Sequence, residues 1–366
     1  MEIDPEYRKW LSGEIRGPKA TLVRLALWCA SVGYGMGVRV RNTLYNTGLL
    51  AEYRVDRPVI AVGNITAGGT GKTPAVEYLA RWFLDNGARP AIVSRGYHAR
   101  DDEGRENDEA MLLAERLPDV PQRRHKDRLQ AAVAAMKMDG ANALILDDGL
   151  QHRRLARFGN IVLIDATCPF GYGHLLPRGL LREPRRAGLR RADVIVVTRS
   201  DQVSPDELKA LLATLGRLAP DIPKATAVHV PTGLVAFPDS RPVTPATLKG
   251  RRVALFSSIG NPDAFRRTVE GLGGEVAWST DYPDHHWYSR DDVSDICRAD
   301  NEAVDAYVTT EKDAVKLEQL DAGDVSWPGD RKLWVLQVEL RLTSGEEAVV
   351  QLLREALRAA LYDENE

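Results

Sequence analysis

The stretch Val59-Ile-Ala-Val-Gly-Asn-Ile-Thr-Ala-Gly-Gly-Thr-Gly-Lys-Thr-Pro74 limits the fold more than any other part of the chain. An apolar run that reads as a buried strand turns through glycines into Gly71-Lys72-Thr73, and a helical pattern follows from Pro74 to Leu84. In such a unit the backbone N–H groups point into one concavity and the helix N-terminus adds positive potential, so the loop suits phosphate. Thr66, Ala67, Gly68, Gly69, Thr70, Gly71, Lys72 and Thr73 are therefore the expected nucleotide-binding residues. Lys72 is expected to reach the β and γ phosphates of ATP, and the Thr73 hydroxyl to ligate Mg²⁺. The strict GxxxxGK[ST] pattern is not met, because Thr66 stands at its first glycine. A glycine-rich turn with an incidental lysine is the plain alternative, and the flanking strand and helix argue against it.

Around this unit apolar runs alternate with helical patterns. Ala91–Val93, Ala143–Leu146, Ile161–Ile164 and Val194–Val197 read as buried strands, and Ala110 to Arg116 and Arg128 to Met138 as helices. Such alternation builds a mostly parallel sheet with helices on both faces. The expected class is α/β, with a P-loop NTPase-like domain over residues 46–224. Pro231, Pro238, Pro242 and Pro245 punctuate 225–245, which reads as a linker with a two-stranded hinge, Thr226–Val230 and Gly233–Phe237. A second, smaller α/β domain is expected over 246–366, closing with a helix from Gly345 to Tyr362. Residues 1–45 are left for an N-terminal tail and a membrane-associated helix.

Charge decides between partners. Lys and Arg total 49 against 52 Asp and Glu, a net −3, which argues against a nucleic-acid binder. Cys29, Cys168 and Cys297 form no CxxC, so neither a disulfide framework nor a structural zinc site is expected. From Arg16 to Tyr45 there are five basic residues and no acidic one, with Trp28, Tyr34 and Tyr45 interleaved. The uncharged run Leu25 to Val38 is shorter than the roughly 20 residues a spanning helix needs, and Gly33, Gly35 and Gly37 weaken it in water. Basic flanks around an apolar, aromatic middle suit a helix lying in an anionic membrane surface. An amphipathic helix packed on its own domain is the alternative.

A P-loop enzyme also needs an acidic residue after a second apolar strand to organise Mg²⁺. Ala143-Leu-Ile-Leu-Asp147-Asp148 supplies it. Arg128, on the preceding helix, is a candidate for the γ-phosphate or the developing charge, unless it lies on a solvated helix face. Six arginines (178, 182, 185, 186, 190 and 191) surround Glu183, a cluster suited to a phosphate or to anionic lipid headgroups unless it is simply a solvated loop.

Taken together, these pieces resemble the tetraacyldisaccharide 4′-kinase family, the lipid A 4′-kinases. The likeness rests on Val62-Gly-Asn-Ile-Thr-Ala-Gly-Gly-Thr-Gly-Lys-Thr-Pro74, Ser94-Arg-Gly-Tyr97, Asp108-Glu109, Asp147-Asp-Gly-Leu-Gln-His152, Leu176-Pro-Arg-Gly-Leu-Leu-Arg-Glu-Pro184, Asp284-His285 and Thr309-Thr-Glu-Lys-Asp313, in the family's order. The resemblance implies transfer of the γ-phosphoryl group of ATP to the 4′-hydroxyl of a tetraacyldisaccharide 1-phosphate, giving lipid IVA, at the cytoplasmic face of the inner membrane through an N-terminal helix. It implies Asp108 as the catalytic aspartate and His285, rather than His286, as its partner imidazole. It further implies Asp147 and Asp148 at Mg²⁺, and Arg182 with Glu183 at the substrate; Glu109, beside Asp108, is a candidate for contact with the metal or its water shell. No task for 309–313 can be derived from its residues. The chain departs from the family at Asn107 and Ala110, where Gly-Asp-Glu-Pro is usual, and at Tyr172, where Gly-Asn-Gly is usual. It departs also at Phe158, and at Arg178 and Leu180, where Pro-Ala-Gly-Pro-Leu-Arg-Glu is usual. Two other readings compete: a membrane-associated ATPase switch, whose signature lysine is Ala67 here, and a P-loop kinase for another amphiphilic alcohol.

Overall fold

The computed structural model describes residues 5–96, 107–298, 304–320 and 332–362. Tyr97 of the Ser-Arg-Gly-Tyr stretch lies outside them. In chain order the helices are α1 (Pro5–Ser12), α2 (Pro18–Asn46), α3 (Lys72–Asp85), α4 (Asp108–Arg116), α5 (Arg128–Asp139), α6 (Arg185–Leu189), α7 (Pro205–Leu218), α8 (Pro262–Gly271), α9 (Arg290–Arg298), α10 (Glu311–Leu317) and α11 (Glu346–Tyr362). The strands are β1 (Val59–Asn64), β2 (Pro90–Ser94), β3 (Gln122–Arg124), β4 (Ala143–Leu146), β5 (Gly159–Asp165), β6 (Val194–Thr198), β7 (Lys224–Phe237), β8 (Arg241–Val243), β9 (Arg252–Ser257), β10 (Glu275–Asp281), β11 (Ala306–Thr310) and β12 (Lys332–Ser344). The chain divides into two compact units, one of residues 9–228 and 340–366, the other of 229–339 with the N-terminal residues up to Arg8.

In the larger unit the strand order is β7-β6-β5-β1-β4-β2-β3, every pair parallel. Every residue of β1 is buried, which is why it reads as a continuous apolar run. Ile60, Val62 and Ile145 face Val76, Leu79 and Phe83 of α3, Leu113 of α4 and Leu353 of α11. Ala61, Leu144 and Leu146 face the alanines 131, 132 and 135 of α5. Val162, Ile164, Ile195 and Val197 pack with Leu189, Leu211 and Leu215 of α6 and α7. Helices thus cover both faces, the expected P-loop NTPase-like layering. β1 lies between β4 and β5, so the crevice beyond its C-terminal end is where an open α/β sheet binds its ligand.

At the C-terminus the division of the chain differs from the expected one. Residues 340–366, expected in the second domain, belong to the P-loop unit. The apolar stripe Val349, Leu352, Leu353, Ala356 and Ala360 of α11 finds its complement on that sheet face. Helix α2, set apart as a separate segment in the sequence reading, also belongs to this unit. It runs unbroken for 29 residues despite its glycines and, by length and composition alone, is long and apolar enough to cross a membrane.

The smaller unit has its own parallel order, β10-β9-β11-β12. Leu255, Val308 and Leu336 pack with Phe265 and Val269 of α8 on one face. Phe256, Tyr307 and Leu333 pack with Val293 and Ile296 of α9 on the other. The two short strands expected at 226–237 are one strand, β7, running through Pro231 and pairing antiparallel with β8 at its far end.

Candidate active site

The phosphate loop is shaped at two glycines. Gly68 has φ 110° and Gly71, which precedes α3, has φ 85°, a region that L side chains avoid. Thr66 needs no such freedom. It pairs with Leu181 as an antiparallel bridge, which explains how a threonine replaces the pattern's first glycine. The Ala67 N–H donates to the Leu180 carbonyl at 2.7 Å, so this amide is committed outside the cradle. Lys72 and Thr73 open α3, directly after the loop.

The Asp147-Asp148 turn follows β4 beside this loop, and two close glycine contacts fix it. A Cβ on Gly63 would lie 2.6 Å from Leu150 Cβ, and one on Gly149 would lie 2.9 Å from Ala61 Cβ. The Gly149 N–H donates to the Val62 carbonyl at 2.9 Å. Asp148 adopts φ 48°. Arg182 Nη1 donates to both of its oxygens at 2.8 Å, and Lys72 Nζ lies 3.9 Å away. Burial pushes the Asp148 carboxyl up, but Lys72 and Arg182 more than offset this and hold it at about 2. Asp147 behaves oppositely. Burial, then the Glu109 carboxylate, push it up to about 7 against the opposing pull of Lys72. Its Oδ1 is buried with no hydrogen-bond partner among the described residues.

Arg128 is 8% exposed, which removes the solvated-face reading. Burial and then Arg95 lower its pKa, while Asp148 and Asp147 oppose them, so its charge is felt at the same turn. Asp108 and Glu109 begin α4. The cap is Asn107, whose Oδ1 accepts from the Glu109 and Ala110 amides at 3.1 and 3.2 Å. Asp108 is thus not the capping residue. It is 2% exposed and accepts from the Glu109 N–H at 2.8 Å.

The six arginines divide. Arg182 holds Asp148, and Arg191 pairs with Glu183. Arg178 Nη1 donates to the Leu11 carbonyl at 3.2 Å. Arg185, Arg186 and Arg190 are exposed. Glu183, expected at the substrate, is fully buried and presents no carboxylate to a ligand. It braces Arg191 and Gln151 instead, and Gln151 in turn donates to the Asn64 carbonyl at 2.9 Å.

The segment 175–182 is a strap between the phosphate loop and α2. On one side Arg182 N–H donates to the Ile65 carbonyl at 2.8 Å, beside the Ala67 bond. On the other, Ser31 Oγ lies 2.9 Å from the Leu175 carbonyl oxygen and accepts from the Arg178 N–H at 2.9 Å. Tyr34 donates to the Arg182 carbonyl at 2.9 Å. A Cβ on Gly35 would lie 2.7 Å from Leu175 Cδ1, so this glycine admits a close approach.

Three residues that the sequence reading missed tie the loop from its other side. Thr198 Oγ1 donates to the Thr70 carbonyl at 3.0 Å, and Arg199 Nη1 to the Gly69 carbonyl at 2.9 Å. Arg199 has φ 53° and pairs with Asp165. The usable signal was an Asp at the end of the apolar strand beside β1 and an Arg just after the next strand over.

Asp284 and His285 lie in the smaller unit, in a turn after β10. His285 adopts φ 64° and is 35% exposed at its side chain. His286 stacks on Tyr282 at 4.8 Å and its Nε2 lies 3.1 Å from Asp292 Oδ2.

Against known proteins, the family described as tetraacyldisaccharide-1-P 4′-kinase matches residues 23–358. The chain belongs to this family. It is an ATP-dependent kinase acting on a lipid disaccharide, and the switch reading is not favoured. It is 39% identical over 359 residues to the tetraacyldisaccharide 4′-kinase of Anaeromyxobacter sp. (strain K), covering 94% of this chain and 93% of that one. The Syntrophus aciditrophicus enzyme is 39% identical over 84% of this chain and 86% of its own. Among solved structures, LpxK from Aquifex aeolicus in complex with ATP superposes with a TM-score of 0.68 at 29% identity, covering 92% of this chain and 99% of that one.

Membership in the 4′-kinase family makes the departures readable. Where Gly and Pro are usual, Asn107 supplies the acceptor and Ala110 the N–H it caps. Leu180, where proline is usual, donates its N–H to the Gly171 carbonyl at 2.8 Å. A proline at either position has no N–H to give. Tyr172 has φ 63°, a conformation that the family's asparagine takes more readily. Nothing in the structure explains Phe158.

Proposed function

We propose that this 4′-kinase transfers the γ-phosphoryl group of ATP to the 4′-hydroxyl of tetraacyldisaccharide 1-phosphate, giving lipid IVA, with its nucleotide site beyond the C-terminal ends of β1 and β4. One observation carries this assignment of the site. Lys72, Arg182 and Arg128 converge on the Asp147-Asp148 turn at the mouth of the phosphate loop. Phosphoryl transfer is mainly positioning and charge stabilisation, which such a convergence supplies.

The donor set fits Mg²⁺. Among the described residues no three His, Cys, Asp or Glu side chains gather into a cage, and Mg²⁺ does not ask for one. It takes one or two carboxylates and completes its shell with water and phosphate. Thr73, Asp147 and Asp148 would hold it, with Glu109 in the water shell. The partnerless Asp147 Oδ1 and the raised carboxyl are what a cation would relieve. When bound, the ion neutralises charge on the β and γ phosphates.

A sugar hydroxyl is a poor nucleophile, and Asp108 accepts its proton as the new bond forms. His285 orients Asp108 or tunes its basicity through a hydrogen bond in the catalytic complex. The exposed Arg185, Arg186 and Arg190 suit the substrate's 1-phosphate or anionic headgroups. The test is transfer of labelled γ-phosphate from Mg²⁺-ATP to the disaccharide in mixed micelles. Lys72→Ala is expected to lower it at least ~100-fold, as loss of one electrostatic donor does. Steady ATP hydrolysis by active protein, with no labelled lipid, would overturn the reading.

The kinase works at an anionic membrane surface, the cytoplasmic face of the inner membrane. Leu22, Leu25, Trp28, Val32, Met36 and Val40 form an exposed apolar band along α2, flanked by exposed Lys19 and Arg39. Trp28→Glu with Val32→Glu spares the Ser31 and Gly35 contacts and should abolish sedimentation with anionic vesicles. Undiminished sedimentation would refute the membrane role of this face.

A further inference from the structure

We propose that Asp313 and Lys312 of the Thr309–Asp313 stretch, with Lys316 and Ser258, set the position of the His285 imidazole by gripping the 283–286 turn from two sides. This rests on the role assigned to His285 above and gives the stretch the task that its residues alone did not reveal.

The inner grip is buried. Asp313 and Lys316 are both 0% exposed and pair at 2.9 Å. Thr310 caps α10 and donates to Asp313 Oδ2 at 2.7 Å, which fixes the carboxylate. Asp313 Oδ1 accepts from the Ser258 N–H at 3.0 Å. Lys316 donates to Ser258 Oγ. That hydroxyl lies 2.7 Å from Asp313 Oδ1 and 3.2 Å from the His286 carbonyl oxygen, and its one proton can go to either. The Ser258 carbonyl accepts from the His285 N–H at 3.3 Å. One buried serine therefore touches the backbone at 285 and at 286, and a buried ion pair holds the serine. The outer grip is Lys312, whose Nζ donates to Asp284 Oδ1 at 3.3 Å. Asp284 Oδ2 lies 3.8 Å from His285 Nε2.

Taking two charges out of water is costly, and a buried pair of this kind is best explained by the geometry it specifies. That geometry is a histidine at φ 64°, which few side chains adopt unless the surroundings impose it. The network engages the backbone on both sides of the imidazole and leaves the ring partly exposed. The neighbouring His286 ring stacks on Tyr282 and its Nε2 lies 3.1 Å from Asp292 Oδ2.

The experiment uses the full chain. Ser258→Ala and Lys312→Met are made in the wild-type and in the His285→Ala background. Each is expected to lower kcat about 10-fold, the scale of a misplaced group, with KM for ATP and lipid changed less than about 2-fold. In the His285→Ala background neither should cost more, because residues acting through one group are not additive. Lys312→Arg should restore kcat, and the His285 ring resonance in histidine-labelled protein should shift in Ser258→Ala. Full additivity, or an unmoved resonance, overturns the proposal. If Ser258→Ala loses its thermal transition, Lys312→Met decides by the same criteria. Wild-type kcat in His285→Ala removes the underlying role of His285, and is distinguished by that variant alone.

Discussion

The turn after β4 and the turn after β10 have the same problem and solve it differently. Each follows a parallel strand, and each carries a non-glycine residue at positive φ, Asp148 at 48° and His285 at 64°. In the first, the residue in the unfavourable conformation is itself clamped. Arg182 and Lys72 hold its carboxylate, and glycine contacts at 63 and 149 lock the backbone around it. In the second, the contacts include Lys312 on Asp284, Ser258 on the His286 carbonyl and the His285 N–H on the Ser258 carbonyl, and the imidazole is one-third exposed. The carboxylate proposed to stand beside phosphate and metal is immobilised atom by atom. The imidazole proposed to tune a base is held through the backbone on either side of it and is one-third exposed.

Substitutions can break or sharpen this contrast. The largest effect should come from Asp148→Asn, which keeps the shape but strips Arg182 and Lys72 of their counter-charge. We expect kcat to fall about 10²–10³-fold, the scale of losing a preorganised electrostatic group, with unchanged far-UV circular dichroism. Near-normal transfer would reduce the first turn to a structural feature. Next, Gly149→Ala forces a methyl against Leu146 and Ala61 and should destabilise by about 1–3 kcal/mol, read as a lowered Tm. The 283–286 turn has no glycine to test in this way, so its sharper probe is His285→Asn. Asparagine tolerates positive φ, so stability should change by less than about 0.5 kcal/mol, while kcat falls about 10-fold or more. A stability loss as large as that of Gly149→Ala would mean that the second turn is locked like the first.

The smallest effect concerns acid. Burial, then Arg128 and Arg157, hold the His152 imidazole down at about 4, against 6.5 for a free side chain. The folded state therefore disfavours the proton that the unfolded chain accepts. This contribution to stability is complete above pH 6.5 and is lost as pH falls toward 4. His152→Gln should flatten that limb in urea titrations at pH 7 and pH 5, and equal slopes in both proteins would refute the assignment.

Legibility in the sequence followed distance along the chain. The phosphate loop could be read because strand, glycines, lysine and helix are contiguous, and Asp147-Asp148 because it ends an apolar run. Arg199 could not, since the Gly69 carbonyl it serves is 130 positions away. Glu183 looked like a ligand because its partners, Gln151 and Arg191, become neighbours only on folding. Arg128 was ambiguous for the same reason, since helical position alone does not say whether a long side chain turns inward. The α11 stripe was plain as amphipathic, but an apolar face does not name the sheet it covers. The 309–313 stretch read as a pattern without a purpose until Ser258 and the 283–286 turn lay beside it.

The seating of α2 bears on how this kinase meets its substrate. Ser31 and Gly35 are pinned to the same short segment that pins the phosphate loop, and Leu25, Val32 and Met36 lie on an exposed face beside that seam. A helix fastened at that period cannot roll about its axis without undoing its own mounting. On the proposed membrane role, the depth at which its outer band settles among lipid headgroups would set the height of the phosphate loop above the bilayer, as a bracket sets a shelf. A lipid whose acyl chains stay in the membrane can offer its sugar only at a certain elevation, and the helix proposed to find the membrane would also supply the ruler.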